Sequence, residues 1–213
     1  MTTAYVAVIA DVTASRTLLP ARRARLQADL RRALPELNRR YARWLAAPFG
    51  IALGDELQVL LRGGAGLWLF AHDLRARFPA VEWVVAAGRG ALTTPVRRGL
   101  TAPELDGPCY HLARRTLERA KAERLILACG GFPPALDPLL HFYSALYWSW
   151  TSRQRTVATA WRRAEALRTA ELAGHRPTAA PRESSAASHL RRRMGWALVK
   201  TGDRAIWDTL EAS

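Results

Sequence analysis

Two acidic residues, Asp11 and Asp55, have the setting that metal–phosphate chemistry uses. Asp11 ends an apolar, β-rich run at residues 5–10, and Asp55 follows Gly54 between two short apolar runs, 49–53 and 56–61. Gly-Asp between such runs reads as the turn of a β-hairpin. If the first strand lies beside the second hairpin strand, both carboxylates come to one sheet edge, on strands about 4.8 Å apart. Carboxylates held that close repel unless a cation lies between them or one is protonated. Mg²⁺ or Mn²⁺ suits such a pair, because hard cations take one or two carboxylates plus substrate phosphates. Strand alternation points Glu56 to the opposite face and makes it the weaker ligand candidate. Ordinary turn and capping chemistry also uses Asp at these positions.

Ser15 and Arg16 follow Asp11 where a long helix should open. Backbone N–H groups at a helix start attract anions, and an Arg fork adds two donors to a phosphate. Both are candidate phosphate contacts. The alternative is a capping serine beside a surface charge.

The elements that must position these residues are legible from periodicity. Leu26, Leu30, Leu34, Leu37, Tyr41 and Leu45 recur at helical spacing over residues 20–46, with Pro35 expected to break or kink that helix. A helix at 67–78, a strand at 81–87, a loop at 92–106, a helix at 110–121 and a strand at 124–129 complete a split βαβ order with an added helix and strand. The fold class expected is α+β: a ferredoxin-like, palm-like antiparallel sheet domain over residues 1–132. An aromatic connecting helix at 133–150 and an all-helical or winged helix-turn-helix domain at 151–213 follow.

Charge points to an anionic partner. The 213 residues carry a formal net charge of +14, with Lys121 and Lys200 the only lysines among 32 basic residues. Residues 151–213 hold 12 basic and 6 acidic side chains and are the more densely charged part. Arginine's planar fork suits phosphate and guanine. Ser185, Ser188, Arg191 and Arg192 lie on a Ser/Arg-rich helical segment at 184–194, preceded by a helix from 151 past Trp161, a short helix with Ala170, Leu172 and Ala173, and a Pro-containing loop at 174–185 expected to be mobile. That order suggests a helix-turn-helix reading DNA with its last helix. Residues 196–203 read as a wing strand or a final helical turn. Aromatic residues within 139–150, including Tyr147 and Trp148, suit a core or a homodimer contact.

No basic leader precedes the first apolar run, and no stretch of about 18 apolar residues exists, so neither a signal peptide nor a membrane span is expected. Cys109 and Cys129 lack framework spacing and read as reduced, buried thiols of a cytoplasmic protein. Zinc spacing, a P-loop and a hydrolase elbow are all missing.

Three short segments carry a resemblance. Asp11-Val12-Thr13-Ala14-Ser15-Arg16, Gly54-Asp55-Glu56-Leu57-Gln58 and Asp106-Gly107-Pro108-Cys109-Tyr110-His111-Leu112-Ala113-Arg114 resemble, in order and spacing across residues 4–129, motifs of the SatD family of bacterial proteins. That family's N-terminal part is similar to the palm of class III nucleotide cyclases and GGDEF proteins, in which the two Asp positions bind metal ions. The resemblance implies Asp11 and Asp55 as metal ligands, Arg114 as a phosphate or ribose contact, and a C-terminal helix-turn-helix. Ala10 and Leu57 depart from the family's usual Gly and Phe, and the cyclase base-selecting residues are not evident. The expected function is a DNA-binding transcription regulator whose palm binds a metal–nucleotide or is vestigial. The alternative is a Mg²⁺- or Mn²⁺-dependent nucleotide cyclase or nucleotidyltransferase, with no catalytic residue assigned.

Overall fold

The computed structural model describes residues 4–13, 15–52, 54–172 and 185–213. Five strands form one sheet: β1 Tyr5–Val12, β2 Leu45–Ile51, β3 Leu57–Leu61, β4 Trp83–Gly90 and β5 Leu127–Gly130. Their spatial order is β2-β3-β1-β4-β5. The first four pair antiparallel, as a split βαβ requires, and β5 joins β4 in parallel. The seven described helices are α1 Pro20–Tyr41, α2 Leu67–Arg77, α3 Pro108–Ala122, α4 Leu136–Ser149, α5 Ser152–Leu172, α6 Ser185–Arg193 and α7 Trp196–Glu211.

Alternation along β1 sorts the core into two layers. Val6, Val8, Ala10 and Val12 face one cluster, with α1 and α2 residues such as Leu30 and Phe70; Ala7 and Ile9 face the other, with Ala113 and Leu117 of α3. A strand buried on both faces has no polar alternation, which is why 5–10 reads as a continuous apolar run.

Two expectations about α1 change: it is not broken at Pro35, and it ends earlier. Pro35 does not end α1, which continues to Tyr41. Pro35 is exposed, so the carbonyl its missing N–H leaves can bond water. The helix stops short of residue 46 because Leu45 already belongs to β2. That strand is at the sheet edge and carries register shifts, so Pro48 is tolerated there.

The C-terminal helices do not stand apart from the sheet. Leu140, Tyr143 and Tyr147 of α4, Ala166 of α5, and Ile206 and Leu210 of α7 share the α1/α2-side core. Arg75 stitches the inner layer: its guanidinium donates to Ala71 O (2.7 Å), Trp83 O (2.9 Å) and Ile126 O. The expected short helix at 170–173 is the end of the continuous α5 as far as Leu172. The expected loop at 174–185 lies, up to residue 184, outside the described residues. Residues 196–203 are neither a wing strand nor a single final turn; they open the 16-residue α7.

His72 of α2 is 1 % exposed, packed by Trp68 and Tyr143, with no hydrogen-bond partner on either ring nitrogen among the described residues. Burial, then the charges of Arg162 and Arg75, hold its imidazole well below 6.5. The folded chain therefore keeps it neutral while the unfolded chain takes up a proton as pH falls through about 6.5. This contribution to stability is complete above that pH and is lost as pH falls toward the depressed folded value. His72→Phe keeps a ring and is expected to flatten the decline in urea midpoint between about pH 7.5 and about pH 5.5. Equal declines in both proteins would show that another group controls the acid limb.

Candidate functional site

The hairpin turn places its acidic residues by backbone geometry. Ala52 N–H donates to Glu56 O at 2.9 Å, and Gly54 has a φ of 64°, which a side chain would strain. In the β1/β3 register Ala10 faces Leu57, so one further step sets Glu56 across from Asp11 and Asp55 beyond it. Asp11 and Asp55 do come to the same end of neighbouring strands.

The side chains are partnered differently from the expectation. Asp11 follows Ile9 on the α3 face and forms an ion pair with Lys121 of α3. Glu56 lies on that face too and is 6 % exposed. It receives a two-pronged contact from Arg114 of α3, at 2.5 and 2.7 Å, and a hydrogen bond from Gln58 at 2.7 Å. Glu56 is therefore not turned away from Asp11. Alternation counted from Asp55 misplaced it, because the turn resets the face. Burial raises the Glu56 carboxyl, but hydrogen bonds from Arg114 and Gln58 and the charges of Arg114 and Lys121 outweigh it and leave it lowered. Asp11 and Glu56 are thus compensated by two cations of one helix.

Asp55 is the exception. Its Oδ2 is buried with no hydrogen-bond partner among the described residues. A buried carboxylate oxygen left so is costly unless something satisfies it. Among the described residues, however, no group of three or more His, Cys, Asp or Glu is arranged to hold a metal ion.

The other phosphate candidates are scattered. Ser15 lies in a short 3-10 turn, Ser15–Thr17, and its carbonyl accepts from Arg23 at 2.8 Å. Neither it nor Arg16 opens the long helix, which starts at Pro20 after Leu19 without a side-chain cap. The Pro at the first position, with its fixed φ, sets that start. Arg114 keeps a partly exposed side chain but is committed to Glu56. Cys109 and Cys129 are free and buried, and burial pushes both thiols up.

In the tail, α6 is the outlying element. It has no buried residue, and Ser185, Ser188, Arg192 and Arg193 are exposed. Arg191 instead lays its guanidinium 4.5 Å over the Trp161 ring of α5. Met194, just beyond α6, packs with Trp150, Trp196 and Val199. The helix is anchored at its end and open along its length.

Within 139–150 the exposed apolar group is Phe142, at 76 %, with Leu198 of α7 at 81 %. Tyr147 is buried and bonds Glu82 at 2.8 Å, and Trp148 donates to Arg124 O at 2.7 Å, so these two serve internal packing.

Among the described residues no helix is long and apolar enough to cross a membrane. A model of the SatD family matches residues 5–123, the stretch that holds both Asp11 and the hairpin and ends one residue after α3. No curated protein matches the chain.

Proposed function

The chain belongs to the SatD family, and we propose, from its tail rather than from the matched part, that it is a cytoplasmic DNA-binding regulatory protein that contacts DNA through α6. One observation carries the reading: a nine-residue helix with no buried residue, three arginines in its last turn and two exposed serines. Serine and arginine bond phosphates, and arginine also reads guanine in the major groove. The tail lies outside the matched residues, so this support comes from chemistry and placement rather than from the family match.

Arg192→Glu with Arg193→Glu is expected to weaken duplex binding at least tenfold while leaving thermal stability unchanged, since both side chains are exposed. Titrations of the full chain at about 50 mM and about 200 mM salt measure it, because each phosphate contact adds to the salt dependence. Absence of binding at the lower salt would sink the proposal.

A second reading is favoured by the orphaned Asp55 Oδ2. It places a Mg²⁺ or Mn²⁺ ion with a nucleotide at Asp55 and Asp11, after Lys121 has released Asp11. The cyclase or nucleotidyltransferase alternative needs that same rearrangement. Mn²⁺ with ATP or GTP is then expected to raise the melting temperature of the wild type and not of Asp55→Asn. No shift in the wild type with either nucleotide rejects this reading and leaves the DNA one standing.

A further inference from the structure

A cleft between α2, α5 and α7 is lined by three tryptophans: Trp68 of α2, and Trp196 and Trp207 of α7. Its volume of about 230 Å³ is below the usual range of pockets for drug-sized ligands. That space suits one fused ring system rather than a whole nucleotide. Ala166 of α5 also lines the cleft, and its small side chain leaves room between the helices.

The polar groups around the indoles are held in place and nearly neutral as a set. Arg162 is 2 % exposed at its side chain and gives Asp203 two hydrogen bonds, at 2.7 and 2.9 Å. Its guanidinium lies 4.6 Å from the Tyr143 ring, 5.2 Å from Trp150 and 5.7 Å from Trp196. Glu165 is paired with Lys200 at 3.2 Å and with Arg168 at 2.5 Å. A strongly charged ligand would meet charges that are already paired. A saturated hydrocarbon would use the indoles but leave the polar groups unengaged. Each carboxylate oxygen has lone pairs to spare beyond its present bond, and the Lys200 ammonium has further N–H donors. Flat aromatic walls favour a π-system, whatever its substituents.

We propose that this cleft binds an uncharged, planar nitrogen heterocycle of purine size, packed against the indoles and hydrogen-bonded through its N–H and ring-nitrogen edge to Asp203, Glu165 and Lys200. The assignment does not rest on the DNA reading. Asp203 and Glu165 accept from the heterocycle's N–H groups; Lys200 donates to a ring nitrogen. Arg162, which also lines the cleft, holds Asp203 in place through its two hydrogen bonds.

The test is a titration of the full chain with adenine and guanine, read by tryptophan fluorescence, and with indole, which emits like tryptophan itself, read by calorimetry. Two variants accompany it: Thr169→Phe narrows the cleft, and Lys200→Ala removes the donor. Lys200 is 49 % exposed at its side chain, so its variant keeps the fold and decides the matter should Thr169→Phe fail to fold. Saturable quenching by a purine is expected, weakened at least tenfold in each folded variant, with indole at least tenfold weaker than the purine in the wild type. No saturable quenching by either purine overturns the proposal. So does purine binding that Lys200→Ala leaves unchanged, and so does indole binding as tightly as the purines, which would mark a merely apolar cleft.

Discussion

Asp73→Asn is expected to lower stability by about 3 kcal/mol, the scale on which breaking a buried ion pair costs a fold. Asp73 of α2 is 0 % exposed, and its carboxylate gathers three groups from two other helices. Arg40 of α1 donates to both oxygens at 2.9 Å, Arg163 of α5 donates to Oδ1 at 2.6 Å, and Tyr41 of α1 donates to Oδ2 at 3.4 Å. The amide keeps the shape and removes the charge. Two guanidiniums are then left facing one another with one fewer counter-charge, and the packing of α5 on α2 loses its anchor. Arg40 retains Glu36 at 2.7 Å, which limits the loss. For a chain of this length the effect corresponds to a drop of roughly 6–12 °C in melting temperature, measured by thermal denaturation of the full chain. Asp29→Asn is the comparison, since Asp29 pairs with exposed Arg25 and Arg32, and such pairs contribute about 0–1 kcal/mol. If the two variants melt together, Asp73 is not the clasp described.

Gly88→Ala is expected to destabilise by about 3 kcal/mol, the upper part of the overpacking range. A Cβ on Gly88 would lie 2.3 Å from Ala113 N and 2.3 Å from Cys109 O, both backbone atoms of α3. Backbone cannot rotate away as a side chain end can, so α3 must lift from β4. Lifting α3 would also draw Arg114 and Lys121 away from Glu56 and Asp11, so the acidic edge depends on a methyl-free position in the next strand. Gly202→Ala in α7 is the control: nothing lies within 4 Å of its added Cβ, and helical Gly→Ala exchange stabilises by roughly 0.5–1 kcal/mol. Urea denaturation of the two variants checks both signs. An unchanged Gly88→Ala midpoint would mean that the close approach of α3 relaxes at no cost.

Much of the fold was readable in the chain because its elements repeat with simple periods. The leucines of α1 and the uninterrupted apolar runs of β1 and β4 mark helix and strand directly, and the split βαβ order follows from their succession. Errors fell where a local rule met a tertiary answer. Pro35 removes one helix hydrogen bond, yet α1 runs through it to Tyr41, at an exposed position where water can take the freed bond. Leu45 fits the helical spacing of α1, yet pairing with β3 claims it. Residues 196–203 were ambiguous alone. As the first turns of α7 they set Trp196 and Val199 against Trp150 and Met194.

The candidate site divides along the same line. The sequence alone determined that Asp11 lies near the end of a strand, which runs one residue further to Val12, that Asp55 sits in the adjacent hairpin turn, and that the tail is densely basic, because strand ends, Gly-Asp turns and charge are properties of neighbouring residues. Only the tertiary structure decided which side chains meet. Lys121 and Arg114, more than fifty residues away from the carboxylates they hold, reach them because α3 crosses the sheet face that Asp11 and Glu56 share. The same holds for the tryptophan cleft, where Trp68 is well over a hundred residues from Trp196 and Trp207 and meets them only because α7 returns to α2. No local pattern specifies such encounters, since burial and close packing act between surfaces and are blind to distance along the chain.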